Sequence, residues 1–221
     1  MNGLLANTSF LIPAAGQGTR LGLGPKALLV LDGKPLIRWL AEKALRCTNE
    51  VLIAAPPDLP PEIAALCPEC LCIAGGDTRQ ESIARLARAS HNDWLLLQDV
   101  ARPFASPALI ERVAAAARAS GCAGAFLDPE VPVARIRDGL VSAAYLRDEV
   151  AIFQAPQAFS RAVLLEISRL AELSDWREQS TVQLALRCNV PVHAVTGEKT
   201  NIKLSTPEDW AMARHLTQLL R

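Results

Sequence analysis

The chain has 221 residues, 50% of them hydrophobic, and 23 basic side chains balance 23 acidic ones. A net charge of zero excludes a broad basic footprint for nucleic acid or an anionic membrane surface. The longest apolar runs, such as residues 28–31 and 113–117, are far too short to span a membrane, and MNGLLANTSF lacks the basic start and long apolar core of a signal peptide. A single cytoplasmic domain over residues 1–221 is expected.

The first strand is predicted over Ser9 to Ala15. Its apolar Phe10, Leu11 and Ile12 open into Ala14, Ala15, Gly16, Gln17 and Gly18, followed by Arg20 and then Pro25 and Lys26. A strand that breaks into a Gly-rich turn exposes backbone N–H groups, and such a nest holds phosphate. Arg20 and Lys26 add the point charges that a polyphosphate needs. No Gly-Lys-Ser/Thr follows, so this is not a Walker loop. The third glycine of a dinucleotide fingerprint is missing as well.

A helix is predicted from Leu36 to Cys47 behind the Asp32-Gly33 turn, then a strand over Val51 to Ala55. Prolines 56, 57, 60 and 61 punctuate a loop that leads into a short helix near Glu62 to Leu66. Leu71 to Ala74 reads as a strand, followed by Gly75-Gly76-Asp77 and a helix to about Ala89. Trp94 to Leu97 reads as a buried strand ending at Gln98-Asp99. Ser106 caps a helix that Gly121 stops, and Ala123 to Leu127 is the next strand. This βαβα rhythm predicts an α/β, Rossmann-like fold: a mostly parallel sheet with helices on both faces.

The rhythm breaks at about residues 128–150, where Val131, Val133 and Ile136, a turn at Asp138-Gly139, and Leu140 and Val141 predict a protruding β-hairpin arm. A lone hairpin is not stable in water and needs a partner to pack on. Helices are predicted over Ser160 to Leu173 and Trp176 to Arg187, and a strand over Val190 to Val195. Thr206-Pro207-Glu208-Asp209 opens the last helix with reciprocal capping groups. Cys67, Cys70 and Cys72 cluster, but Cys67-x-x-Cys70 has no second ligand pair at zinc-site spacing and the three histidines are dispersed, so the six thiols read as reduced core residues.

Ligands of such a sheet sit beyond the carboxyl ends of its strands. Four groups qualify: Gly16 to Arg20; Gly76, Asp77, Arg79 and Ser82; Asp99 and Arg102; and Lys203. Asp99 follows Leu95-Leu96-Leu97 directly, where a bare carboxylate is costly unless it meets a cation. Beside a phosphate loop the natural cation is Mg²⁺; the alternative is a salt bridge to Arg102.

Four segments, PAAGQGTRLG with PK, GGDTRQES, QDVARP and NIKLSTPED, carry a family resemblance in order and spacing. Together they resemble the nucleotidyltransferases that make 4-diphosphocytidyl-2-C-methyl-D-erythritol, over about Leu11 to His215. The resemblance implies transfer of a cytidylyl group from CTP to 2-C-methyl-D-erythritol 4-phosphate, with Mg²⁺ as cofactor. It implies that Ala14, Ala15, Gly76, Asp77 and Ser82 line the cytosine pocket and that Gly16 to Gly18 cradle the triphosphate. Arg20, Lys26 and Lys203 would surround the α-phosphate, and Asp99 would hold the metal. Arg147 matches an arginine that grips the acceptor's phosphate, on a hairpin that reaches a second subunit, so a homodimer is expected. Arg102 matches the arginine of a DAARP motif. The family's Thr, Asp and Glu positions are replaced at Val133, Ala155, Gln179, Ser180 and Thr181, all on the acceptor side. A sister enzyme acting on another sugar-alcohol phosphate, such as a pentitol phosphate, and a non-catalytic nucleotide-binding protein are the alternatives.

Overall fold

A computed structural model describes residues 5–16, 18 and 22–219. The chain runs β1 (Thr8–Pro13), a 3-10 turn (Lys26–Leu28), β2 (Val30–Leu31), β3 (Lys34–Pro35), α1 (Leu36–Leu45), β4 (Glu50–Ala55), α2 (Pro60–Leu66) and β5 (Leu71–Ala74). It continues through α3 (Arg79–Ala89), β6 (Trp94–Leu97), α4 (Pro107–Ser120), β7 (Cys122–Leu127), β8 (Val133–Arg137) and β9 (Leu140–Tyr145). It closes with β10 (Ile152–Ser160), α5 (Arg161–Leu173), α6 (Thr181–Arg187), β11 (His193–Thr196) and α7 (Pro207–Leu219).

Among the described residues the main sheet has seven strands in the order β11-β7-β10-β6-β1-β4-β5. All pairings are parallel except those of β10, which runs antiparallel between β6 and β7. The short β2 and β3 form a separate antiparallel pair. Strand period sorts the side chains onto two faces. In β1, Phe10 and Ile12 join one core with α1 and the buried Ala213 of α7, whereas Leu11 joins the opposite core with α3 and α5. From β1 the chain moves to β4 and β5 on one side, then returns to β6 on the other. The loops after β1 and β6 therefore part at a topological switch point, which opens a crevice at their carboxyl ends.

Local chemistry sets the boundaries. Side chains of Thr78, Ser106, Ser160 and Ser180 each accept a hydrogen bond from the first turn of α3, α4, α5 and α6. Gly121 ends α4 in the left-handed region at φ 84°. Thr206 and Asp209 cap α7 reciprocally, as predicted.

The structure corrects the sequence reading in four places. The first strand ends at Pro13 rather than Ala15. Strand β10 was not anticipated, because Pro156 and two glutamines interrupt its apolar residues; the pairing shifts register between Phe153 and Gln157 to accommodate them. The helix expected from Trp176 begins only at Thr181, where Ser180 caps it, and Asp175 turns the chain at φ 49°. The last strand is His193–Thr196, since Pro191 has no N–H for a ladder.

Among the described residues, strands β8 and β9 pair only with each other, through a turn with positive φ at Asp138 (50°) and Gly139 (78°). Most of their residues are exposed, including Ile136, Leu140 and Val141. All six cysteines are free thiols. Among the described residues, no helix is long and apolar enough to cross a membrane.

Candidate active site

The crevice at the switch point is a cleft of about 350 Å³. The loop after β1 supplies Ala15, Gly16 and Gly18, and Lys26 reaches in from the following turn. Gly76, Asp77, Arg79 and Ser82 come from the start of α3, Asp99 from the end of β6, and Lys203 from the segment before α7. Ten of the residues singled out from sequence thus meet in one cavity.

Close approach of backbones requires the glycines. Gly18 has φ +67°, and a Cβ there would collide with the Gly24 carbonyl oxygen. Gly75 lets the loop after β5 lie against the loop after β1; a Cβ on it would sit 2.6 Å from that of Ala15. The Ser82 hydroxyl accepts from the Gly76 N–H at 3.0 Å and donates to the Thr78 carbonyl at 2.9 Å, which fixes the turn entering α3. Thr78 lines the cleft and was not singled out from sequence; its spacing to Glu81, three residues on, is the signature of a helix start.

Asp99 is the electrostatic centre. Its side chain is only 15% exposed, Arg79 Nη2 lies 2.9 Å from Oδ1, and Lys203 Nζ lies 3.3 Å from Oδ2. Burial opposes its ionisation, but the charges and hydrogen bonds of Arg79 and Lys203 outweigh that and hold the carboxyl well below the usual range. The alternative salt bridge to Arg102 does not form. Arg102 is buried beyond Asp99, donating to the Asn201 carbonyl at 2.6 Å and the Phe153 carbonyl at 3.2 Å, where two backbone acceptors satisfy it.

Backbone bonds position the cations. Leu204 N–H donates to the Ala101 carbonyl, fastening the Lys203 segment to the loop that carries Asp99. Lys26 Nζ donates to the Leu204 carbonyl at 2.7 Å, and Asn201 Nδ2 to the Ala155 carbonyl at 2.6 Å. The two lysines, remote in sequence, are thereby anchored to adjacent residues.

Three predicted residues are not in the cleft. Ala14 is fully buried behind it, with its N–H on the Ala54 carbonyl. Arg102 lines a neighbouring cavity instead. Arg147 is exposed in the turn after β9, its Nη1 3.5 Å from the Glu130 carbonyl oxygen. Arg20 lies outside the described residues.

Among the described residues no cluster of three His, Cys, Asp or Glu side chains forms an all-protein metal cage. Mg²⁺ needs none: it binds through one or two carboxylates plus substrate phosphates and retained waters. A carboxylate offers about four lone-pair sites, and Asp99 Oδ2 meets a lysine at 3.3 Å. Asp99 therefore fits a cation that arrives with a phosphate ligand.

Residues 8–218 match the IspD family, 2-C-methyl-D-erythritol 4-phosphate cytidylyltransferase. The chain is 38% identical over 218 residues to the 2-C-methyl-D-erythritol 4-phosphate cytidylyltransferase of Thermus thermophilus, covering 96% of this chain and 97% of the relative. It is 35% identical over 212 residues to the enzyme of that name from Deinococcus radiodurans, covering 95% and 89%. The crystal structure of the T. thermophilus enzyme superposes with a TM-score of 0.82 over 95% of this chain and 98% of that one. The 4-diphosphocytidyl-2C-methyl-D-erythritol synthase of Anaerococcus prevotii, 23% identical, shares the fold at a TM-score of 0.84 over 96% of each chain.

Because its folded value is depressed, Asp99 lends stability that is complete above the unfolded carboxylate value near pH 4 and is lost as pH falls through the folded one. Asp99→Asn is expected to flatten the acid limb of stability below about pH 4, read as urea midpoint against pH. An acid limb of unchanged slope would show that the two cations do not hold the carboxylate.

Proposed function

The chain belongs to the 2-C-methyl-D-erythritol 4-phosphate cytidylyltransferase family, and on that premise we propose that it transfers the cytidylyl group of CTP to 2-C-methyl-D-erythritol 4-phosphate and releases pyrophosphate. The observation that carries this reading is the convergence of Lys26, Lys203 and Arg79 around one cleft beside a Gly-rich turn. Such a cleft suits a polyphosphate.

In the proposed reaction an oxygen of the acceptor's phosphate attacks the α-phosphorus of CTP. A new P–O bond forms as the bond to the bridging oxygen breaks, and pyrophosphate leaves with that electron pair. The attacking phosphate is already anionic at neutral pH, so no general base is needed. The barrier lies in bringing two anions together and stabilising charge on the in-line transition state.

Lys26 and Lys203 meet that demand from segments remote in sequence, with Arg20, four residues after Gly16 in the sequence, assigned as a third cation. Gly16 and Gly18 offer backbone N–H groups to the triphosphate, while Ala14, Ala15, Gly76, Asp77 and Ser82 form the base pocket, Ala14 from behind. Asp99 would hold Mg²⁺, which supplies charge neutralisation across the phosphates when bound. Asp99 also keeps Lys203 and Arg79 from repelling each other before substrate arrives.

The isolated hairpin points to a second copy of the chain. Leu140 and Val141 are 72% and 69% exposed, a waste of apolar surface unless something covers it. A dimer through β8 and β9 would also bring Arg147 to the partner's acceptor pocket, which it does not reach in its own chain.

Two measurements test these assignments. Lys26→Ala and Lys203→Ala should each lower the rate of pyrophosphate release by about a hundredfold or more, with an unchanged circular-dichroism spectrum; near-normal turnover in both contradicts the mechanism. Sedimentation equilibrium should return a dimer, and a dilute monomer with full activity would remove the role given to the hairpin.

A further inference from the structure

Cys67-Pro68-Glu69-Cys70 joins α2 to β5 at the edge of the main sheet. The carboxyl end of β5 runs on into Gly76 of the cleft, so this segment stands at the strand's other end. The Cys70 N–H donates to the Cys67 carbonyl at 3.0 Å, closing a four-residue turn with Pro68 and Glu69 at its tip. Proline at the second position of such a turn fixes its backbone. A turn closed this way holds its first and last Cα atoms within about 7 Å, and a disulfide needs them about 4.4–6.8 Å apart. The two thiols already interact directly, with Cys70 as the proton-bearing partner.

The surroundings set this pair apart from the other thiols. Arg38 reaches over the turn: its Nη1 donates to the Leu66 carbonyl at 3.3 Å and to Glu69 Oε2 at 2.7 Å, and its Nη2 to Glu69 Oε1 at 3.1 Å. A thiolate just past a helix faces the negative end of the helix dipole, and this guanidinium sits on that end. The Cys70 thiol, and after it Arg38, hold Cys67 below the ordinary thiol range, although burial and the Glu69 carboxylate oppose them. Cys70 is pushed up in turn by its bond to Cys67 and by burial. Burial pushes Cys47, Cys72 and Cys188 up as well, and Cys122 up to about 12. Cys67 is fully buried and Cys70 partly exposed, so one sulfur is sheltered while the other meets solvent.

We propose that Cys67 and Cys70 form a thiol–disulfide exchange site, which a low-molecular-weight disulfide oxidises to an intramolecular disulfide and a dithiol reduces again. Once the first proton has left, the two sulfurs share the second. With that proton on Cys67, the Cys70 thiolate attacks one sulfur of the incoming disulfide. A mixed disulfide forms at Cys70, the S–S bond of the reagent breaks, and one thiolate leaves with its electron pair. The Cys67 thiolate then attacks the Cys70 sulfur, the Cys67–Cys70 bond forms, and the second thiolate is expelled. Two cysteine thiols are oxidised and one external disulfide is reduced to two thiols, which take up the two protons the cysteines lose. The site stands independently of cytidylyl transfer, since Cys67, Cys70 and Arg38 are not among the residues lining the cleft.

The test is incubation of the native full chain with oxidised glutathione, alkylation of the remaining thiols, and mass spectrometry of the digest. The wild type should lose two thiols, Cys67 and Cys70, as an internal cross-link that dithiothreitol reverses. Cys67→Ser should stop at the mixed disulfide on Cys70, because the resolving sulfur is gone. Cys70→Ser should take up no glutathionyl group at Cys67, whose sulfur is sheltered. A wild-type pair left unmodified overturns the proposal. So does a mixed disulfide that never resolves, a link to Cys47 or Cys72 in place of Cys67, or thiol loss spread evenly over all six cysteines. The wild-type digest decides the matter even where a variant fails to fold.

Discussion

A carboxylate at the end of a buried strand has to be neutralised, and the way this chain neutralises Asp99 organises everything around it. Arg79 comes from the first turn of α3 and Lys203 from the segment before α7, 104 residues away. Two positive side chains converging on a small cleft repel each other, and the carboxylate between them offsets that cost. The triad is therefore a stored arrangement of charge: positive enough in sum to attract phosphate, yet stable in the folded chain before any ligand binds.

The sheet makes the triad possible. Parallel β1 and β6, with connections leaving in opposite directions, open their carboxyl ends into one crevice. The antiparallel β10 then closes the far side and presents Gln154 and Gln157 behind Asp99. A lattice of side-chain to backbone bonds from Arg102, Asn201 and Lys26 fixes the terminal segment against both. The result is two cavities divided by one charged wall, an arrangement suited to holding two anions apart until they are aligned.

Much of this was legible in the residues. Strands β1, β4 and β6 announce themselves because a parallel strand buried on both faces must be apolar throughout, and Ser106 and Thr206 mark helix starts by their capping chemistry. Lys26 and Lys203 could be placed near one site because each follows a strand end. The pairing of Asp99 could not be read the same way. Arg102 is three residues off and Arg79 twenty, and only the fold shows that Arg102 is drawn away by two carbonyls. Strand β10 was hidden by Pro156 and its glutamines, which break its apolar run. The pairing of β8 with β9 was readable from the Asp138-Gly139 turn between two apolar runs.

The central claim is that phosphates gather at the Gly16–Gly18 turn under Lys26 and Lys203, with a metal against Asp99. A crystal structure with CTP and Mg²⁺ tests it most directly. The account predicts the triphosphate over that turn, the α-phosphate between the two lysines, and the metal within coordination distance of the Asp99 carboxylate. A triphosphate seated elsewhere, or a metal bound away from Asp99, would contradict it.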